Sequence, residues 1–264
     1  MKPQPAFDAY AEGYDSAFTQ THIGRLQRQQ VWQALQPLLT SPKDVLEVNC
    51  GTGADAIRLA QAGHRVLATD LSEKMIEVAR AKATHLDPSI KLGFEAAGFL
   101  ELPAIVDRKK FDLVFSNFGG LNCINTADTM QFSRICYDLL RPGGMLFLIY
   151  MSKDCTWERC YFSYQKNKEK ANRRKTSGPV TSLVEGQPVS VWYYSTTELA
   201  TLYSKYFTMT DQFPIGLFVP PSYLEPLFTK RKLLLQTLGG LDRVLRFKAW
   251  ADYGDHVGVV LQRR

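Results

Sequence analysis

Val45-Leu46-Glu47-Val48-Asn49-Cys50-Gly51-Thr52-Gly53 joins a short apolar run to a loop of small residues. The run reads as a strand, and residues 54–61 have the spacing of a helix that stops at Gly63. A strand that turns sharply into a helix needs residues without a bulky Cβ. Glycine reaches positive φ at no steric cost and lets another molecule touch the backbone. The helix start leaves amide N–H groups free to bind that molecule. The next strand, 65–69, ends at Asp70, seventeen residues after Gly53. A carboxylate there can accept both hydroxyls of a ribose. The loop alone is a weak signal; loop, acid and strand order together are a strong one.

The same alternation continues outward. Ser72 is placed to cap a helix running to about Thr84, and Phe94 marks a short third strand. Residues 111–115 form a fourth strand ending at Ser116-Asn117. A helix over about 127–140 is stopped by Arg141-Pro142-Gly143-Gly144, which turns into a fifth strand over 145–150. That strand is apolar on both faces, as suits a parallel sheet covered by helices on both sides. Upstream, Ile23, Leu26, Val31, Leu35, Leu38 and Leu39 recur at helical spacing. Strands alternating with helices predict a doubly wound α/β fold, regular over 43–152 behind an N-terminal helical segment, 1–42. After Met151 the pattern loosens. A basic helical stretch holds Lys166, Lys168, Lys170, Arg173, Arg174 and Lys175. A hairpin over 180–194 turns at Glu185-Gly186 or Gly186-Gln187. Helix 196–206, strand 207–213, a bend at Pro220-Pro221, helices over 222–247 and a last strand, 257–261, follow. Residues 153–194 and 214–253 read as insertions that cap the substrate side of a single domain, 1–264.

These motifs resemble the class I S-adenosylmethionine-dependent methyltransferase family. Its first motif is an acid followed by alternating small residues, E-x-G-x-G-x-G. Glu47, Gly51 and Gly53 match it, and Asn49 stands where the first glycine falls. Asn tolerates the left-handed conformation, so the turn is expected to survive. The resemblance extends through Ala68-Thr69-Asp70-Leu71-Ser72 with Met75, through 111–117, and to Leu139-Leu140-Arg141-Pro142-Gly143-Gly144. Phe7 to Asp15 is similar to the family's opening segment, which folds over the cofactor and here carries Tyr10 and Tyr14. It implies a Rossmann-like sheet of seven mostly parallel strands, the last two antiparallel to each other, with helices on both faces plus the cap insertions. It also implies S-adenosylmethionine as cofactor. The implied cofactor contacts are Tyr10, Tyr14, Glu47, Asn49, Gly51, Gly53, Asp70, Leu71 and Met75, with Gly98 and Phe99 in the loop before the fourth strand and Asn117 after it.

A nicotinamide dinucleotide enzyme is the rival, because Gly51-x-Gly53-x-x-Ala56 also satisfies the dinucleotide fingerprint. The position of Glu47 inside the first strand, the long segment ahead of the loop and the Pro-Gly-Gly turn favour the methyltransferase. No catalytic base is evident. His256 with Asp255 could pair as base and orienter, although a structural pair at a strand start is the commoner arrangement; His22 is a weaker candidate. The basic run 166–175 most often means a solvated helix face. Tyr223, Leu224, Leu227, Phe228, Leu233 and Leu234 could line a lipophilic pocket or form the cap's own core.

Composition bounds the rest. Hydrophobic residues make up 45% and charged residues 22% of 264 residues, enough for a full core. The net charge of +6 permits an anionic substrate, a nucleic acid or a membrane surface without requiring any. Five cysteines without a C-x-x-C pair and four scattered histidines suggest neither a disulfide framework nor a metal site. The polar start, Met1 to Ala11, is unlike a signal peptide, and no apolar run reaches the ~20 residues of a membrane helix. A cytoplasmic enzyme acting on a small lipophilic molecule, by O- or C-methylation before N-methylation, is the expectation, with no nucleic-acid partner. RNA methylation and a non-catalytic cofactor-binding regulator are the alternatives. The acceptor and the oligomeric state are not legible.

Overall fold

The computed structural model describes residues 7–106, 110–184 and 186–264. Helix α1, His22–Leu35, leads into strand β1, Asp44–Val48. There follow α2 (Ala54–Gln61), β2 (Arg65–Asp70), α3 (Glu73–Ala83), β3 (Leu92–Ala96), a short α4 (Leu102–Ile105), β4 (Phe111–Ser116), α5 (Thr126–Leu139) and β5 (Leu140–Met151). The chain then forms α6 (Thr156–Tyr164), α7 (Lys168–Asn172), the hairpin strands β6 (Val180–Val184) and β7 (Gln187–Val191), α8 (Thr196–Tyr203) and β8 (Phe207–Ile215). Helices α9 (Glu225–Phe228) and α10 (Lys232–Val244) precede the last strand, β9 (His256–Arg263).

Seven strands form one sheet in the order β3-β2-β1-β4-β5-β9-β8. The first five are parallel, and β9 runs antiparallel to both β5 and β8. The expected α/β sheet is therefore present, as is the separate β6–β7 hairpin. The expected hairpin turn includes Glu185, which lies outside the described residues. Alternate residues of the central strands enter two cores. Leu46, Val48, Val114, Leu146 and Leu148 pack with α5 and α8 on one face. Val45, Leu113, Phe115, Phe147 and Ile149 pack with α1, α2 and α3 on the other. Each such buried side chain contributes roughly 1.5–3 kcal/mol.

Local signals hold where they were strongest. Ser72 Oγ accepts the Met75 N–H at the start of α3, and Ser195 with Glu198 forms a full capping box on α8. One turn differs from expectation. Arg141-Pro142-Gly143-Gly144 does not separate helix from strand; it lies inside β5 as a bulge. Phe111 pairs with Leu140 and Leu113 with Met145, so residues 141–144 loop out of the ladder, with Gly143 at φ +76°.

The sheet order reverses between β1 and β4. In an open α/β sheet that point leaves a crevice beyond the strands' carboxyl ends. Everything described next stands on that edge.

Candidate functional site

The loop after β1 takes the conformation its small residues allow: Asn49, Gly51 and Gly53 have φ of +49°, +53° and +75°. Asn49 does more than replace a glycine. Its Nδ2 donates to the Asn117 carbonyl at 2.7 Å, and its Oδ1 accepts from Ser116 Oγ. A Cβ on the facing Gly120 would collide with this side chain. The two glycines serve different ends. A Cβ on Gly53 would stand 2.9 Å from both Ala79 Cβ and Phe94 Cε1, so helix–sheet packing requires that glycine. A Cβ on Gly51 would meet only Tyr14, at 3.8 Å.

Asp70 ends β2 beside this loop. Its two carboxylate oxygens accept the N–H groups of Gly51 (2.8 Å) and Ser72 (2.9 Å). Burial pushes its pKa up, and the two amide bonds oppose that. Each oxygen keeps a further lone pair. The segment from Phe7 to Thr19 is tied over the loop: Ser72 Oγ donates to Asp8, and Asp15 accepts from Thr52 Oγ1 and Lys82 Nζ. Tyr14 belongs to that strap, its pKa pushed up to about 12 by burial. Tyr10, Tyr14, Phe18, Phe118 and His256 form a chain of ring contacts with centroid separations of 4.9–5.9 Å, leading from the glycine loop to the start of β9.

Inside the strap lies a cavity of about 20 Å³ lined by Tyr14, Arg28, Glu47, Asn49, Gly51 and Asn117, among others. Arg28, from α1, binds Asp55 in the first turn of α2, and its guanidinium carbon is 5.0 Å from the Phe118 ring centroid. Asp55 also accepts from Trp32 Nε1 (2.7 Å) and Asn117 Nδ2 (2.8 Å). Burial opposes its charge, but Arg28 and these donors hold its pKa below the ordinary value. Glu47 differs: burial and the nearby Asp55 push its pKa well up. Glu47 Oε2 and Asn117 Oδ1 are buried acceptors, and Arg28 Nε a buried donor, with no hydrogen-bond partner among the described residues. Orphaned polar atoms at a cavity with room for about one water suit a ligand that brings both an ammonium and a carboxylate, as the amino-acid end of S-adenosylmethionine does.

The remaining expected contacts divide. Leu71 is 61% exposed on the rim, and a Cβ on Gly98 would touch it at 3.4 Å; Phe99 stacks edge-on against Phe132 nearby. Met75 is buried, with 2% exposure, inside α3's packing face rather than on the rim. His22 is held by Glu225, whose carboxylate binds its Nδ1 and the N–H groups of His22 and Ile23. It is a joint between α1 and the second cap segment. His256 is 7% exposed, and its Nδ1 lies 3.3 Å from Asp255 Oδ2. Burial pushes its pKa down, against the pull of Asp255.

Sequence reasoning missed Arg28 and Asp55, because neither sits in a motif and a polar residue on a helix reads as solvated. In the basic run, Lys166, Lys168, Lys170 and Lys175 are exposed as expected, but the two arginines are not. Arg174 is buried, donating to Glu158 and Asp255, and Arg173 binds Glu158 at 2.6 and 2.8 Å. These pairs anchor the first cap segment to the start of β9. The second cap segment is anchored from α1: Gln30 donates to Asp242, which accepts the N–H groups of Leu217, Phe218 and Val219. Between the two segments lies an apolar cleft of about 520 Å³, walled by Trp157, Cys160, Leu217, Phe218, Leu238 and Trp250 among others. Leu224 and Phe228 belong to the cap's own core with Ile23 and Leu235; Leu227, Leu233 and Leu234 are exposed and do neither job, and Tyr223 stacks on Phe162 with its hydroxyl turned to Glu158.

Residues 45–144 match a family model described as a methyltransferase domain. The sequence is 31% identical to the tRNA 5-carboxymethoxyuridine methyltransferase of Escherichia coli (strain K12), over 54% of this chain and 55% of that protein. It is 29% identical to the demethylmenaquinone methyltransferase of Clavibacter sepedonicus, over 55% and 56%. The chain spans about half the length of these curated relatives. The crystal structure of a putative S-adenosylmethionine-dependent methyltransferase from Listeria monocytogenes has the same fold, with a TM-score of 0.61 at 16% identity, covering 90% of this chain and 99% of that one.

Proposed function

We propose that the chain is a class I, Rossmann-like S-adenosylmethionine-dependent methyltransferase, as the methyltransferase-domain match over residues 45–144 supports, and that it methylates a small apolar acceptor at an oxygen or carbon nucleophile. When bound, the cofactor supplies a methyl group made electrophilic by its sulfonium. Asp70 would hold the ribose, and Leu71 with Phe99 would flank the flat base. Arg28, Glu47 and Asn117 would hold the amino-acid end. The Phe7–Thr19 strap keeps water from the loop, so that charge interactions there act at low dielectric. His256 is base-competent, because burial favours its neutral form. It would take the acceptor's proton at Nε2, the ring nitrogen turned away from Asp255.

The apolar cleft between the two cap segments carries this reading. Its walls include residues just beyond the carboxyl ends of β5 and β8, strands of the same sheet as the cofactor loop's β1, and its volume is that of a site for a small molecule. Orientation and water exclusion would supply most of the acceleration. The test is transfer of a labelled methyl from S-adenosylmethionine into a fractionated cell extract. Label extracted into organic solvent supports the reading. Label in RNA supports the tRNA-type alternative suggested by one relative, and binding without transfer supports a regulator.

A further inference from the structure

Helix α10 is amphipathic the wrong way round for a surface helix. Its inward side is fixed by Asp242, which binds three successive N–H groups, and by Leu235 and Gly239, the latter packed against Leu26. At 100° per residue, Leu233, Leu234, Leu241 and Val244 share an arc of about 100° on the opposite side. That arc faces solvent: Leu233 is 79% and Val244 77% exposed. Phe247 and Trp250, ring centroids 4.9 Å apart, extend the apolar surface beyond the helix. Both are exposed, and Trp250 also walls the cleft, so the cleft opens beside this patch.

Positive charge borders the patch along one side. Lys230, Arg231, Lys232 and Arg243 are exposed and have no ion-pair partner among the described residues. The one acid within the helix, Asp242, is buried. An apolar face with a cationic border matches the requirements of an anionic lipid surface: aliphatic and aromatic side chains enter the acyl boundary while Lys and Arg meet the headgroups. A second copy of the chain fits poorly. Two-fold pairing sets the patch against itself and opposes the same cations, with no exposed acid in the helix to answer them. Among the described residues no helix is long and apolar enough to cross a membrane.

We propose that the α10 face, with Phe247 and Trp250, docks this protein onto anionic lipid bilayers. The docking stands independently of the acceptor's identity, and its failure would leave the methyl-transfer reading untouched.

The test is cosedimentation of the full chain with vesicles of phosphatidylcholine alone and of phosphatidylcholine mixed with phosphatidylglycerol. The chain should pellet with the mixed vesicles and be released by salt. Leu233→Glu/Val244→Glu should lower the partition coefficient by at least ~10-fold. Lys230→Glu/Arg243→Glu, which leaves the apolar face intact, should weaken binding to the mixed vesicles alone. All four positions are exposed, so the melting temperature should hold. Absent binding, or equal binding by the wild type and both variants, overturns the proposal. A wild-type dimer that Leu233→Glu/Val244→Glu splits in sedimentation velocity, without vesicle binding, overturns it in favour of a self-interface.

Discussion

Tyr14 closes over Gly51: a Cβ built on that glycine would lie 3.8 Å from the tyrosine ring. Nothing else among the described residues comes within 4 Å of that position, whereas the equivalent position on Gly53 points into the core.

The two glycines should therefore fail differently. Gly53→Ala forces a methyl between Ala79 and Phe94 and should cost about 1–3 kcal/mol of stability as overpacking, beyond the strain of its positive φ. Gly51→Ala should cost only the backbone strain, about 1–2 kcal/mol, but weaken S-adenosylmethionine binding in calorimetry. Equal melting temperatures for the two variants would contradict this assignment.

Asp70→Ala should reduce cofactor affinity by about 1.5–3 kcal/mol, the range for hydrogen bonds to a charged group. The same change frees the Gly51 and Ser72 amides, so part of the loss comes from a loosened loop. Asp70→Asn keeps an acceptor for one of those amides and should fall between the two. Calorimetry on the folded variants ranks them.

Arg28→Met leaves Asp55 as a buried charge without its cation and should cost about 3–5 kcal/mol. Arg28→Met/Asp55→Leu should recover much of the melting temperature. If Arg28 also meets the cofactor's carboxylate, the double variant will be stable and still bind weakly. Full recovery of binding would make the pair purely structural.

Glu47 should register cofactor binding as a proton release. Its pKa is well raised in the free protein, and an arriving ammonium favours the ionised form. Binding enthalpies measured in buffers of different ionisation heat should show net release that diminishes as pH rises past the free-state pKa. Proton uptake would refute the placement.

His256 sets an acid-side limit. Its folded pKa lies below 6.5, so the stability tied to its neutral form is complete above pH 6.5 and is lost as pH falls through the folded value. The acidic limb of kcat/KM should have its midpoint below 6.5 and disappear in His256→Gln, with turnover reduced about 10²–10⁴-fold if the residue is the base. An unchanged limb assigns it to positioning β9 against Phe118.

Much of the sheet was legible because the rules that make it act over a few residues. The glycine loop, the Ser72 cap, the end of α2 at Gln61 and the short runs of β1 and β4 all depend on neighbours a few residues apart. The Pro-Gly-Gly segment misled for the same reason: as a local signal it means a turn, and only pairing with Phe111 and Leu113 makes it a bulge inside a strand. The candidate site was half legible. Asp70 and Gly51 stand in a motif that suggests the roles proposed for them. Arg28, Asp55 and Asn117 meet only because α1, α2 and β4 converge at the point where the sheet order reverses.

By itself, the sequence determined the element types, the doubly wound sheet and the place where a cofactor loop would stand. Those follow from hydrophobic period, capping and positive φ. Tertiary structure alone decided which charges are buried and which apolar residues are not. Arg174 reads as one more cation in a basic run until Glu158 and Asp255, sixteen and eighty-one residues away, surround it. Leu233 and Leu234 read as pocket lining or cap core until Asp242 turns the other side of α10 inward. A helical period shows that a helix has two faces; only the partner that one of them meets fixes which is the outside.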